Sequence, residues 1–201
     1  NQVFSDGGAL SGMDVVSASN IPWASILSLL AVITMTLGNV VALQQNNIKR
    51  MLAYSSVAHA GYMLLAMPVM SSESIYAIMI YLFMYLFMNL GAFFIIIFVK
   101  NKTGGETFED YKGLGWEMPI VGICMTIFMV SLTGLPPTAG FIGKFYIFAS
   151  LIKGGSSFYW LVFAGAINSV ISLYYYLKVV KVMFLDGVKK DVILQPELPM
   201  F

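Results

Sequence analysis

From Ile120 to Ile152 the chain is apolar almost throughout, but the run Gly134-Leu135-Pro136-Pro137-Thr138-Ala139-Gly140 interrupts it and a lone lysine, Lys144, follows the interruption. About 20 apolar residues suffice for a helix to cross a bilayer, so a segment running from Met118 to Ile152 is too long for one plain crossing. Pro136 and Pro137 lack backbone donors and clash with the preceding turn, while Gly134 and Gly140 permit the dihedrals of a turn. The pattern predicts two half-helices joined by an unwound stretch, which hydrocarbon tolerates only where it is buried in protein or lines a cavity. A lysine near the bilayer centre costs roughly 2.5–3.5 kcal/mol on insertion scales and ordinarily marks an ion or proton pathway.

Four further segments are long enough to span: Ile21 to Leu43, Met51 to Met70, Ile75 to Val99 and Phe158 to Leu185. With 59% hydrophobic and 10% charged residues the chain lies far outside soluble domains, which carry about 25% charge. The expected fold is an all-α polytopic membrane bundle, residues 21–185, of five transmembrane helices: 21–43, 51–70, 75–99, 118–152 broken near 134–140, and 158–185. Residues 1–20 form an extracytoplasmic segment, and 186–201 a cytoplasmic segment leading to a further helix. Cys124 is the single cysteine, which excludes an internal disulfide, and no His/Cys/Asp/Glu cluster has metal-ligand spacing. A net charge of +1 lacks the basic footprint of a nucleic-acid binder.

If the spans alternate, Lys49, Arg50, Lys100, Lys102, Lys112, Lys178, Lys181, Lys189 and Lys190 collect on one side, and Lys153 stands alone on the other. The positive-inside rule makes the Lys-rich side cytoplasmic and places Asp6 and Asp14 outside. No signal-peptide pattern opens the chain. It begins without an initiator Met, which reads as part of a longer protein.

Polar residues within the spans are arranged in stripes. Ser55, His59 and Tyr62 share one helix face; Tyr81, Tyr85 and Asn89 share another; Asn168, Ser172 and Tyr175 a third; Thr36 and Asn39 a fourth. Facing lipid, these groups would be unsatisfied, so they should converge inside the bundle, where Lys144 also points. Ser, Thr and Asn in such positions are more often interhelical glue than a proton path. Tyr174-Tyr175-Tyr176, close to a span end, reads as an interfacial aromatic belt, and Lys49 and Arg50 as topology signals. His59, the only histidine, titrates near physiological pH. With no nucleotide loop and no activated nucleophile, what remains is the equipment of a proton relay: a desolvated lysine, a histidine, and hydroxyls and amides that order water. A broken helix adds gating, as in transporters built from discontinuous helices.

Asn47-Ile48-Lys49-Arg50-Met51-Leu52-Ala53-Tyr54-Ser55-Ser56-Val57-Ala58-His59-Ala60-Gly61-Tyr62, followed by Gly134-Leu135-Pro136-Pro137-Thr138-Ala139-Gly140-Phe141-Ile142-Gly143-Lys144-Phe145, resembles the antiporter-like membrane subunits of proton-pumping NADH:quinone oxidoreductase, complex I. The ending Ser172-Leu173-Tyr174-Tyr175-Tyr176-Leu177-Lys178-Val179 is most similar to the subunit N branch, the NADH dehydrogenase subunit 2 type. The resemblance implies about fourteen helices in the whole protein, including two inverted five-helix repeats that each contain a broken helix, with this chain matching helices nine to thirteen, the second repeat.

It further implies a proton-carrying role for Lys144 near an exit half-channel, a place for Lys49 and His59 on the same hydrated axis, and supporting positions for Ser55, Tyr62, Tyr85, Asn89, Asn168 and Ser172. Asn89 stands where some sister subunits carry a lysine. NADH, FMN, iron-sulfur clusters and quinone belong to other subunits of the complex, and this chain binds none of them. Its partners are other membrane-arm subunits and the lipid of a bacterial inner (plasma) membrane. Two rivals stand beside this reading: a subunit of an Mrp-type cation/proton antiporter, and a passive scaffold in which Lys144 pairs with an acid on a neighbouring chain.

Overall fold

The computed structural model describes residues 22–187; the expected segment 1–20 and nearly all of 186–201 lie outside the described residues. Seven α-helices follow one another: α1 Trp23–Leu43, α2 Ile48–Ala66, α3 Ser72–Thr103, the short α4 Leu114–Glu117, α5 Pro119–Thr133, α6 Ala139–Lys153 and α7 Tyr159–Phe184. Single 3-10 turns, Met67–Val69, Phe108–Tyr111 and Ser156–Phe158, punctuate them. Among the described residues the one β-type contact is an isolated bridge between Asn47 and Thr107.

Local chemistry sets these boundaries. The Asn47 side chain accepts from Arg50 N–H at 2.9 Å to cap α2, and Ser71 and Ser74 form a reciprocal capping box at the start of α3. Pro119 opens α5 at a position where its missing donor costs nothing. Gly104 closes α3 at φ 77°, a left-handed conformation that glycine adopts freely.

α1, α3 and the stretch Ser156–Phe184 are each long and apolar enough to cross a membrane unaided. α2 is less apolar because it is the interior helix: Ile48, Met51, Leu52, Ser55, Ala58, His59, Gly61, Tyr62, Leu65 and Ala66 are all buried. At 15 residues each, α5 and α6 reach about 22 Å, short of the ~30 Å hydrocarbon core. Neither is long enough to cross alone. The segment Phe108–Glu117 is bent by 119° from Pro119–Thr133 and so runs across the end of the bundle.

α2 lies against α1, α3, α6 and α7; α3 runs along α6 and α5, and α7 closes the bundle against α1 and α5. Two apolar layers result. One, including Met51, Leu52, Ile96, Val99, Val179 and Met183, lies toward the Lys-rich end. The other, including Ala31, Met35, Leu65, Ala77, Ile147, Leu151 and Leu161, lies toward the opposite end. The outward faces are almost wholly apolar, with Leu37, Phe83, Phe94, Ile120, Phe163 and Val170 more than two-fifths exposed, as a lipid-facing surface requires.

Both ends are tied. At the Lys-rich end Ile48 N–H donates to Glu106 O at 2.9 Å, Phe108 N–H to Asn46 O at 3.2 Å and Gly113 N–H to Val182 O at 3.2 Å, so the ends of α1, α3 and α7 form one platform. At the other end Lys153 pairs with Glu73 at 2.8 Å. Lys49, Lys100 and Lys112 lie at the first of these ends, while Lys189 and Lys190 of the expected group lie outside the described residues.

Candidate functional site at the broken helix

α5 stops at Thr133 because the backbone turns left-handed at Gly134, φ 87°. An α-helical carbonyl at residue 132 or 133 would accept from the N–H of residue 136 or 137, and both are proline. The Thr133 carbonyl is thus freed by the sequence itself, and Lys144 Nζ donates to it at 2.7 Å. Leu135, Pro136 and Pro137 are exposed, so the unwound stretch points out of this bundle rather than into it. Its inner edge, not the loop, meets Lys144. Gly140, expected in the break, instead lies in the first turn of α6 and is buried. Its role is close approach: a Cβ there would collide with the Ser131 carbonyl.

Lys144 is 5% exposed, and among the described residues no carboxylate pairs with it. Its ammonium instead sits 4.6 Å over the Tyr62 ring, a contact that stabilises a desolvated cation by about 2 kcal/mol or more. The Tyr62 hydroxyl lies 3.1 Å from Ser169 Oγ and donates to Gly165 O at 3.4 Å. His59, about three turns into α2, is 2% exposed and bonded at both ring nitrogens: Nδ1 to Tyr81 Oη at 2.6 Å and Nε2 to Tyr176 Oη at 2.9 Å. Tyr85 stacks on its ring with centroids 4.8 Å apart.

A second polar cluster adjoins the first through Tyr175 and Tyr176, whose rings lie 4.5 Å apart. Tyr175 Oη donates to Asn39 Oδ1 at 2.9 Å, Asn39 Nδ2 donates to Asn168 Oδ1 at 2.9 Å, and Asn168 Nδ2 donates to Thr36 Oγ1 at 3.2 Å. Tyr175 and Tyr176 border the first apolar layer and Tyr62 and Tyr81 the second, so the bundle has a polar waist where the two layers meet.

The predicted stripes converge: Ser55, His59, Tyr62, Asn168 and Ser172 are buried, whereas Tyr85 and Asn89 are half-buried. Ser55 and Ser172 donate their hydroxyls within their own helices, to Leu52 O and Ser169 O, the local bonding open to a helical serine. Tyr85 Oη and Asn89 Oδ1 are buried atoms with no protein partner. Lys49 is elsewhere. Its side chain is 49% exposed and lies 3.6 Å from Glu106, on the platform at the Lys-rich end. Lys100, which donates to the same carboxylate, and Asn47 hold Glu106 below the ordinary carboxylate range.

The aromatic belt expected at Tyr174-Tyr175-Tyr176 is corrected. Tyr174 is exposed, but Tyr175 and Tyr176 are 1% and 0% exposed and face the waist. Three consecutive helical residues cannot share one face, and the i, i+4, i+7 spacing from Asn168 marks Tyr175 as inward. Tyr176, i+4 from Ser172 and i+8 from Asn168, lies on the same inward stripe, but only the packing of α7 against α2 brings it to His59. Among the described residues no three His, Cys, Asp or Glu side chains gather to hold a metal, and Cys124 lies exposed on the apolar outer face.

Residues 8–172 match the family described as NADH:quinone oxidoreductase/Mrp antiporter, TM. The chain belongs to that family. It is 53% identical over 167 residues to NADH-quinone oxidoreductase subunit N 2 of Sorangium cellulosum, covering 82% of this chain and 33% of the relative. It is likewise 53% identical over 165 residues to subunit N of Chlorobium chlorochromatii, covering 82% and 32%. A chain of respiratory complex I from Thermus thermophilus with bound aureothin superposes with a TM-score of 0.69 at 33% identity, covering 82% of this chain and 37% of that one. A chain of the Mrp complex from Dietzia sp. superposes at 0.77 with 22% identity over 88% of this chain and 32% of that one, a likeness of fold alone. The chain spans about a third of the length of the curated relatives it matches.

Proposed function

We propose that this chain is the second half-channel of a proton-translocating membrane subunit in an NADH:quinone oxidoreductase, with Lys144 as the residue that holds and releases the proton. One observation carries the reading. A buried ammonium is held by a proline-freed carbonyl and an aromatic face, with no carboxylate beside it among the described residues. An ion pair would fix the charge, whereas a carbonyl and a ring hold the neutral amine much more weakly than the ammonium, because the charge-assisted and cation–π parts of the attraction go with the proton. Loss of the proton to a neighbouring water or hydroxyl leaves a neutral amine free to leave the carbonyl. The two states therefore differ in side-chain position as well as charge.

Electrons move in other subunits, whose NADH, FMN, iron-sulfur and quinone chemistry would reach this chain as an electrostatic or mechanical signal. The relay on this chain runs through His59 and Tyr62, with Asn39, Asn168 and Tyr175 as a second branch. Lys49 serves at the surface, in the carboxylate-lysine cluster of the platform. The setting is the plasma membrane of a bacterium, with the Lys-rich platform cytoplasmic under the positive-inside rule and other membrane-arm subunits covering the exposed break. The sequence similarity to subunits N favours this redox setting over an Mrp-type antiporter.

The test is a Lys144→Ala variant in the assembled complex, reconstituted in vesicles, with protons moved per quinone reduced as the readout. The expected result is normal assembly with a reduced proton count. Unchanged pumping would establish the scaffold reading instead, and co-purification with antiporter subunits in place of iron-sulfur subunits would move the chain to the Mrp class.

A further inference from the structure

We propose that Tyr81 and Tyr176 are positioning residues that make His59 a two-sided proton exchanger, wired on one ring nitrogen to α3 and on the other to α7. This rests on the proton-relay reading above. Both phenols are fully buried, and both approach within hydrogen-bond distance, 2.6 Å at Nδ1 and 2.9 Å at Nε2. A neutral imidazole has one N–H and one bare nitrogen. One tyrosine must therefore donate to the ring while the other accepts from it, and swapping the tautomer swaps the two roles.

A proton passed to the bare nitrogen by one phenol, as that phenol takes up another from the water or hydroxyl beyond it, gives an imidazolium that donates to both phenol oxygens. Release from the other nitrogen to the second phenol, as that phenol passes its own proton onward, restores a neutral ring in the opposite tautomer. No bond other than N–H and O–H forms or breaks, and the ring does not rotate. The packing keeps it from rotating: Tyr85 stacks on the ring, and Tyr62 stands 6.0 Å away between it and Lys144.

The two tyrosines also give the exchange a direction. Tyr176 belongs to the apolar layer toward the Lys-rich end, and Tyr81 to the layer toward the opposite end. Gly143, next to Lys144, has no Cβ where the Tyr81 ring packs, so Tyr81 lies on the turn of α6 that bears the lysine. His59 thus has one hydroxyl on the platform side and one on the lysine side. The charged and titratable groups around it among the described residues are Lys144 on α6, Tyr62 on its own helix, Tyr81 and Tyr85 on α3, and Tyr176 on α7.

The test is near-isosteric replacement of Tyr81 or Tyr176 by a fluorinated tyrosine in the assembled complex, with pumping per quinone reduced followed against pH. A more acidic phenol donates better to neutral His59 and accepts worse from the imidazolium, so both effects favour the neutral ring and the profile shifts to lower pH. A ring that only fills space leaves the profile where it was. Tyr81→Phe and Tyr176→Phe, which keep the ring, are expected to reduce pumping by at least about tenfold, and the double variant to lose no more than the worse single one, as members of one unit do. Unmoved fluorotyrosine profiles with Phe variants that pump normally would overturn the exchanger. If Lys144→Ala still abolishes pumping in that case, the relay reading survives without it.

Discussion

Lys49 and Lys144 are the same residue type in the same fold, and their surroundings divide structure from chemistry. Lys49 is half-exposed and shares Glu106 with Lys100, whose Nζ lies 2.9 Å from the carboxylate. Its charge is compensated locally and screened by solvent, so protonation has nothing to switch. Lys144 is buried, its one hydrogen bond goes to a carbonyl that two prolines have released, and its other support is a tyrosine face. A charge held by dipoles alone responds to every nearby change in charge, whereas one held by a carboxylate does not. Position in the membrane is the smaller part of this contrast; the partner set is the larger.

The largest expected effect separates the two lysines directly. Lys144→Ala should reduce proton pumping by about 100-fold or more if it carries the proton, while Lys49→Ala should stay within about twofold in the same vesicle assay. Comparable losses from both would erase the distinction. Next comes the joint between α5 and α6. Gly140→Ala should cost about 3 kcal/mol or more, because the new Cβ meets the rigid Ser131 carbonyl, and reduced yield of assembled complex would report it. Gly134→Ala should cost about 1 kcal/mol from the left-handed backbone. Its Cβ would lie 2.9 Å from Lys144 Cδ, the middle of a flexible chain that can shift, so its signature is altered pumping at nearly normal assembly.

The helices, the break and the inward stripes were legible in the sequence because each rests on local rules: apolar length, prolines without donors, and spacing on one helix face. Lys144 was legible for the same reason, since a lone cation in 33 apolar-rich residues, 120–152, has few explanations. The contacts that tie these parts together were not. Prolines at 136 and 137 mark the freed Thr133 carbonyl and Tyr176 lies i+4 from Ser172, but only the packing of α6 and α7 brings Lys144 to the one and His59 to the other. The resemblance puts Lys49 on the hydrated axis, whereas its position beside Arg50 at a span end points to the surface, and its side chain is half-exposed beside Glu106. Glycine near proline suggests a turn at Gly140, but its small size serves helix packing against the Ser131 carbonyl.

The smallest effect concerns the platform. Lys100 and Asn47 hold the Glu106 carboxyl below its ordinary value, so the contribution of this cluster is complete above the unfolded glutamate pKa of about 4.3 and is lost as pH falls through the lower folded value. The side chain is partly solvated, and a surface cluster of this kind is worth at most about 1 kcal/mol. Glu106→Gln should therefore lower the thermal midpoint of the detergent-solubilised complex only slightly at neutral pH, and the gap from the native chain should close on acidification. The amide keeps a partner for Asn47 but leaves Lys49 and Lys100 facing each other, so added salt should narrow the same gap at neutral pH. A midpoint that falls steeply, or pumping that falls with it, would mean that the platform charge reaches the polar waist, and Lys49 would then belong with Lys144 after all.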